Sequence, residues 1–283
     1  MILVVSVAVA VQGKHRQEKI EQRHAEKESA LMPRITLTRH PKTGQLMTPK
    51  FPLPLIVKKW AVGVTVAPRK NPTFERCYES FLEAGFKPQI FKEPGVSLDP
   101  KFFKHGVTAR PRRLGAWNNW LSSLYELRKK NPDADAYAIF QDDVVLCKDI
   151  RTYLEQELWP SPFTAFVSVF TPNHYRGNST WNPVDQGVNL WMAQTFIFPP
   201  LAVDSILRHP TIRNWKGDKN IDSKIGEWAR DIGMLPHYHT PSLGQHIGHD
   251  STIWEEELPA MGDRSASDFV GESFSAMQLL RGV

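Results

Sequence analysis

Residues 136–147 read AYAIFQDDVVLC: an apolar run stops at Asp142-Asp143 and resumes as Val144-Val145-Leu146. A short continuous apolar stretch of this kind describes a strand buried on both faces, the form strands take inside a parallel sheet. Two carboxylates at its tip are costly to desolvate, and a divalent cation on a bound phosphate is the usual way to neutralise them. Asp-Asp after a strand is also ordinary turn chemistry, and either residue suits a helix cap. The flanking segments weigh on that choice.

Upstream, GAWNNWLSSLYELRKKNP places Trp117, Trp120, Leu121, Leu124 and Leu127 on one face of a helix. Before it, WAVGVTVAP from Trp60 is a buried-strand run. NPTFERCYESFLEAG then reads as a helix with Asn71 as N-cap, Pro72 at the first helical position and Gly85 as its end, and KPQIFKE reads as a second strand. Helices between short apolar strands predict an α/β fold, a Rossmann-type mixed and mainly parallel sheet flanked by helices. Ligands of such sheets sit at the carboxyl ends of the strands, where Asp142 and Asp143 fall.

Downstream, the pattern predicts a helix at 149–158, a strand at 163–170, and a loop rich in Gly, Asn, Trp and Pro over 171–190. A strand QTFIFP, a helix PLAVDSILRHP and a helix at 221–232 entered through WKGDKN follow. MLPHYHTPSLGQHIGHDST reads as an irregular, histidine-rich stretch, and the tail after Trp254 as loosely ordered. Ahead of Trp60 stand an apolar segment, MILVVSVAVAV, a polar helix at 14–30, and an arm at 31–59 interrupted by prolines. The division expected is an N-terminal helix and extended arm (1–59), a central domain (60–254) and a tail (255–283).

At 283 residues the chain has length for a substantial core. Cys77 and Cys147 are its only cysteines, which indicates neither a disulfide framework nor a structural zinc and points to a reducing compartment; the location expected is the cytoplasm of a bacterium or a phage-infected host. The first eleven residues are too few to span a bilayer, so no stable membrane insertion is expected. The net charge of +5 hides an asymmetry: residues 1–131 carry 24 Lys/Arg against 10 Asp/Glu, a balance of +14, and residues 132–283 carry 11 against 20, a balance of −9. A basic half suits a polyanionic partner and an acidic half suits a metal. The mixed signs of Lys14 to Lys27 describe instead an exposed, solvated helix.

Three segments bear on chemistry. The first is QDDV. The second, Lys216 to Gly226, puts Asp218 and Asp222 at a helix start, where the helix dipole favours the ionised form. The third, PSLGQHIGHDS, holds His246 between Gly244 and Gly248, with His249 directly after. With QDDV at a strand end, a helix of the form G-x-x-x-N-W before it and PSLGQHIG after it, the chain resembles the GT-A fold glycosyltransferases over roughly residues 60–254.

That resemblance implies transfer of a hexose or N-acetylhexosamine from a nucleotide sugar, with UDP as the expected nucleotide, aided by Mn²⁺ or Mg²⁺. Asp143 is the implied direct metal ligand, Asp142 its support or a ribose contact, and His246 a late ligand with His249 as its rival. Gln141 stands where the family more often has Asp or Glu. Val64 and Thr65 fall where the nucleobase would lie, and Arg69 and Arg113 are candidates for the diphosphate. A carboxylate at a helix start suits a general base on the acceptor hydroxyl, giving inversion; Asp222 is the first candidate and Asp218 the second. Plain capping is the competing role for both. Trp191 and Gln194 are candidate sugar or acceptor contacts with His249, though Trp191 equally suits a core. His237 and His239 read as structural or surface groups. The acceptor is open between a hydroxymethylated base in phage DNA and a glycan. A metal-dependent phosphoesterase or nucleotidyltransferase, and a nucleic-acid-binding module acting through the arm, are the alternative readings.

Overall fold

A computed structural model describes residues 38–39, 46–47, 53, 56–161, 163–184, 190–217, 220–248 and 264–281. The chain divides into two units, residues 1–49 and residues 50–283. In the first, β1 (Thr38–Arg39) pairs antiparallel with β2 (Leu46–Met47). The apolar segment at 1–11 and the helix expected at 14–30 lie outside the described residues.

The second unit is built on a mixed eight-stranded sheet. It is assembled from β3 (Trp60–Val66), β4 (Gln89–Lys92), β5 (Val107–Ala109), β6 (Ala136–Gln141), β8 (Thr164–Ser168), β9 (Trp181–Pro183), β10 (Thr195–Phe198) and β11 (Leu235–His239) in the order β5-β4-β3-β6-β10-β8-β11-β9. β5, β4, β3 and β6 run parallel, as does the pair β11–β8, whereas β10 is antiparallel to both its neighbours and β9 to β11. The α/β fold class expected from the sequence is the one observed.

Period-two alternation divides the core between the two faces of the sheet. On β6, Ala136, Ala138 and Phe140 join a cluster with Val62, Val64 and Val66 of β3, while Tyr137 and Ile139 face the opposite cluster with Trp117, Trp120 and Leu124. α1 (Phe74–Glu83) and α3 (Ile150–Glu157) supply buried residues to the first face. α2 (Gly115–Lys130), α4 (Pro200–Arg208), the short α5 (Pro210–Arg213) and α6 (Ile221–Asp231) cover the second. Gly63 permits close approach there, since a Cβ would stand 2.8 Å from Phe91 Cε2 and 3.0 Å from Leu127 Cδ1.

Three expectations need correction. The histidine-rich stretch is not irregular: Leu235–His239 is a sheet strand, and β12 (Gly244–His246) forms a separate two-stranded ladder with β7 (Val144–Leu146). The histidines hide the strand because each finds a local acceptor. His237 Nδ1 lies 3.1 Å from the Leu235 carbonyl, and buried His239 lies 2.6 Å from the Pro241 carbonyl and 2.7 Å from the Tyr153 hydroxyl. The loop at 171–190 contains β9. The tail is packed over residues 264–281, where the Lys148 N–H donates to the Phe274 carbonyl and the Ala276 N–H to the Lys148 carbonyl, both at 2.9 Å.

Candidate active site

The carboxyl ends of β3 and β6 lie side by side because the strands pair parallel, with Thr65 opposite Gln141. There a cleft of about 230 Å³ opens, lined among others by Thr65, Arg69, Glu93, Arg113, Gln141 and Asp142. Val64 does not reach it; the alternation of β3 turns its fully buried side chain into the core instead.

Arg69 overturns the premise that the two carboxylates are uncompensated. Its Nε and Nη2 donate to Asp142 Oδ1 at 3.1 and 2.7 Å, and Nη2 donates to Asp143 Oδ2 at 2.8 Å. The Ala67 N–H adds a bond to Asp142 Oδ2 at 3.1 Å. Burial pushes the Asp143 carboxyl up, but Arg69 and His246 outweigh it and hold it well below the usual carboxylate range. For Asp142 burial wins over Arg69, and its carboxyl is raised.

α1 and β12 hold this pair in place. The helix starts at Phe74, later than the Asn71 cap expected, and Thr73 before it makes no side-chain cap but turns to the site. Its hydroxyl donates to the Asp142 carbonyl at 2.5 Å, beside Cys77 Sγ at 3.2 Å. From the other side, β12 pairs His246 with Val144, and the Ile247 N–H donates to the Asp143 carbonyl at 2.8 Å. His246 Nε2 then stands 3.3 Å from Asp143 Oδ2. Gly248 closes against both: a Cβ there would lie 2.9 Å from Asp143 Cβ and from His246 Nε2.

A divalent cation can be tested against this geometry. Asp143 Oδ1 is buried and without a hydrogen-bond partner among the described residues, and His246 Nε2 stands beside the same carboxylate, which fits coordination by Asp143 and His246. No cluster of three or more His, Cys, Asp or Glu suited to a metal occurs among the described residues. His249 and Asp218 lie outside them.

Gln141, at the departure from the expected motif, clamps the neighbouring segment. Its Nε2 donates to the Ala193 carbonyl at 3.1 Å and its N–H to the Gln194 carbonyl at 3.0 Å. Gln194 is buried, and its Oε1 has no partner among the described residues. Trp191 is not core, being 43% exposed. Asp222 also differs from expectation. Desolvation outweighs the helix start and raises its carboxyl, and both oxygens are engaged, Oδ2 with the Met192 N–H and Oδ1 with the Ser223 N–H, each at 2.9 Å. Of the basic run before α2, Arg113 lines the cleft, whereas Arg110 turns to α2, donating to Asn119 Oδ1 at 2.7 Å and Ser123 Oγ at 3.0 Å.

Two residues escaped the sequence reading, Glu93 at the cleft and Thr73 beside Asp142. Glu93 is buried at the carboxyl end of the β4 run, and its Oε1 and Oε2 accept the Leu114 N–H at 3.2 and 3.0 Å, tying the loop before α2 to the cleft. A strand-end glutamate was the available signal. Thr73 gave none, because a threonine before a helix reads as a cap.

No protein-family profile and no curated protein matches this chain. Among solved structures, the chain is similar to the crystal structure of GalNAc-T7 with UDP, GalNAc and Mn²⁺, at 10% identity and a TM-score of 0.45. The likeness covers 71% of this chain and 46% of that one, so the chain spans less than half of that protein's length. No helix among the described residues is long and apolar enough to cross a membrane.

Proposed function

We propose that this chain is a metal-dependent glycosyltransferase that moves a hexose or N-acetylhexosamine from a nucleotide sugar, with UDP as the nucleotide, to a hydroxyl acceptor. One observation carries the reading. The two motif segments, about a hundred positions apart in sequence, meet through the β7–β12 ladder, which sets His246 Nε2 3.3 Å from Asp143 Oδ2, next in the chain to Asp142, which lines the strand-end cleft. Asp143 and His246 would hold Mn²⁺ or Mg²⁺, which would supply Lewis-acid stabilisation of the leaving diphosphate.

The chain's own groups bind and orient. Arg113 faces the cleft with a positive charge for phosphate oxygens, and Thr65 and Gln141 supply hydrogen-bonding groups for the nucleoside. In the transfer, the acceptor oxygen bonds to the anomeric carbon while the sugar–phosphate bond breaks, its electron pair leaving with the diphosphate. The acceptor proton passes to a base. Asp222 has both oxygens committed to backbone amides, so Asp218 becomes the candidate for that role, tested by Asp218→Asn.

The test of the reading is a thermal-shift panel of UDP and UDP-sugars with Mn²⁺, with donor hydrolysis measured alongside, on wild type and Asp143→Ala. Metal-dependent stabilisation by nucleotide that Asp143→Ala abolishes is expected. Absence of such stabilisation with every nucleotide and nucleotide sugar sinks the reading.

A further inference from the structure

Trp191 stands out from the other tryptophans. It is the one exposed tryptophan among the described residues, at 43%, while Trp117, Trp120 and Trp228 are fully buried. An exposed indole gains little for folding, yet its backbone is held on both sides. The Trp191 N–H donates to the hydroxyl of buried Tyr175 at 3.2 Å, and the next amide, Met192 N–H, donates to half-buried Asp222 at 2.9 Å. Met192 has φ +74°, a left-handed backbone that a non-glycine residue takes only where its surroundings impose it. The indole edge is further set by His174, with ring centroids 5.3 Å apart and planes at 75°. The strap ends at the clamp of Gln141 on Ala193, beside the cleft.

We propose that Trp191 is a preformed stacking platform for a sugar ring of the acceptor, and that Asp222 is the positioning residue that holds it out. This deepens the transferase reading and rests on it for the word acceptor. An aromatic face carries negative quadrupolar charge and suits the weakly positive C–H face of a hexose. Held rigid before binding, it adds no ordering cost on contact. A carbohydrate is favoured over a nucleic acid because the groups that hold Trp191, namely the Tyr175 hydroxyl, the Asp222 carboxylate on the next amide and the His174 ring, offer a phosphate backbone no fixed positive charge.

The experiment is saturation-transfer NMR on the full chain with methyl β-D-glucoside, methyl β-D-galactoside and N-acetyllactosamine, and with a single-stranded DNA 12-mer as the competing class. Wild type, Trp191→Ala, Trp191→Phe, Asp222→Ala and Asp222→Asn are compared, each checked for folding by its thermal melt. Transfer to ring C–H protons of at least one sugar is expected in wild type. It should weaken about tenfold in Trp191→Ala, the scale of one aromatic contact, and be largely restored in Trp191→Phe. Asp222→Ala should weaken it with Trp191 still present, and Asp222→Asn, which keeps an acceptor for the Met192 N–H, should weaken it less. Should Asp222→Ala fail to fold, Asp222→Asn and the Trp191 pair decide the matter. The proposal is overturned if no sugar shows transfer, if transfer is undiminished in Trp191→Ala, or if the oligonucleotide alone depends on Trp191. UDP with Mn²⁺ on wild type, run in parallel, reports on the transferase reading separately.

Discussion

Asp143 and His246, 103 positions apart in sequence, meet at 3.3 Å because β7 and β12 pair with Val144 opposite His246. The ladder leaves Asp143 Oδ1 buried without a partner among the described residues, an arrangement that costs stability unless another group arrives. His246→Gln keeps a polar side chain near the size of the imidazole but removes a nitrogen ligand. It should therefore lower Mn²⁺ affinity by roughly tenfold or more, with little change in the melting temperature of the metal-free protein. Titration of Mn²⁺ by calorimetry in the presence of UDP decides it, and unchanged affinity would remove His246 from the metal shell.

Arg69 bridges both carboxylates with its side chain only 7% exposed, so removing it strands two buried negative charges. Arg69→Met should cost on the order of 3–5 kcal/mol, the scale for breaking a buried ion pair from one side. Divalent cation should then recover more stability in the variant than it adds to wild type, since it replaces the counter-charge that Arg69 supplied. Urea unfolding with and without Mn²⁺ measures both effects. A loss under 1 kcal/mol would show that Arg69 is a solvated bystander.

The parallel half of the sheet and both motif segments were legible because they announce themselves locally, by apolar runs with punctuation and by clustered acidic and imidazole groups. Arg69 shows what was not. It follows a strand and lies 73 positions before its partner Asp142, and nothing in the residues around it says that its guanidinium turns back onto the pair rather than outward to a diphosphate. Asp222 failed for a different reason. A helix dipole acts on any carboxylate at a helix start, but desolvation, which depends on what packs over it, acts more strongly here. β11 was hidden by His237 and His239, polar in composition yet buried, their ring nitrogens supplied by carbonyls only two residues away.

Gly248 gives a steric probe of the site that changes no charge. A methyl group there meets Asp143 Cβ and His246 Nε2 at 2.9 Å, both on buried side chains with little room to yield. Gly248→Ala should push the two apart and cost about 1–3 kcal/mol, the range for overpacking. Its effect on Mn²⁺-dependent nucleotide binding should exceed what that destabilisation explains. If the variant binds UDP and Mn²⁺ as wild type does, the Asp143–His246 approach is not what binding requires.

His239 is fully buried against Tyr153, and burial lowers its imidazole pKa to about 4. Its pKa in the unfolded chain is about 6.5. The unfolded chain therefore takes up a proton first as pH falls, so the stability that neutral His239 contributes is fully present above about pH 6.5 and is lost progressively down to about pH 4. The separation corresponds to a change on the order of 3 kcal/mol across that window. His209 and His237 are shifted in the same direction, also by burial, and add to the slope. Urea midpoints measured from pH 7.5 to 4.5 should fall throughout the window. His239→Gln should start lower, having lost its pairing with Tyr153, but decline less steeply. Equal slopes in the two proteins would show that His239 takes up its proton in the folded state as readily as in the unfolded one.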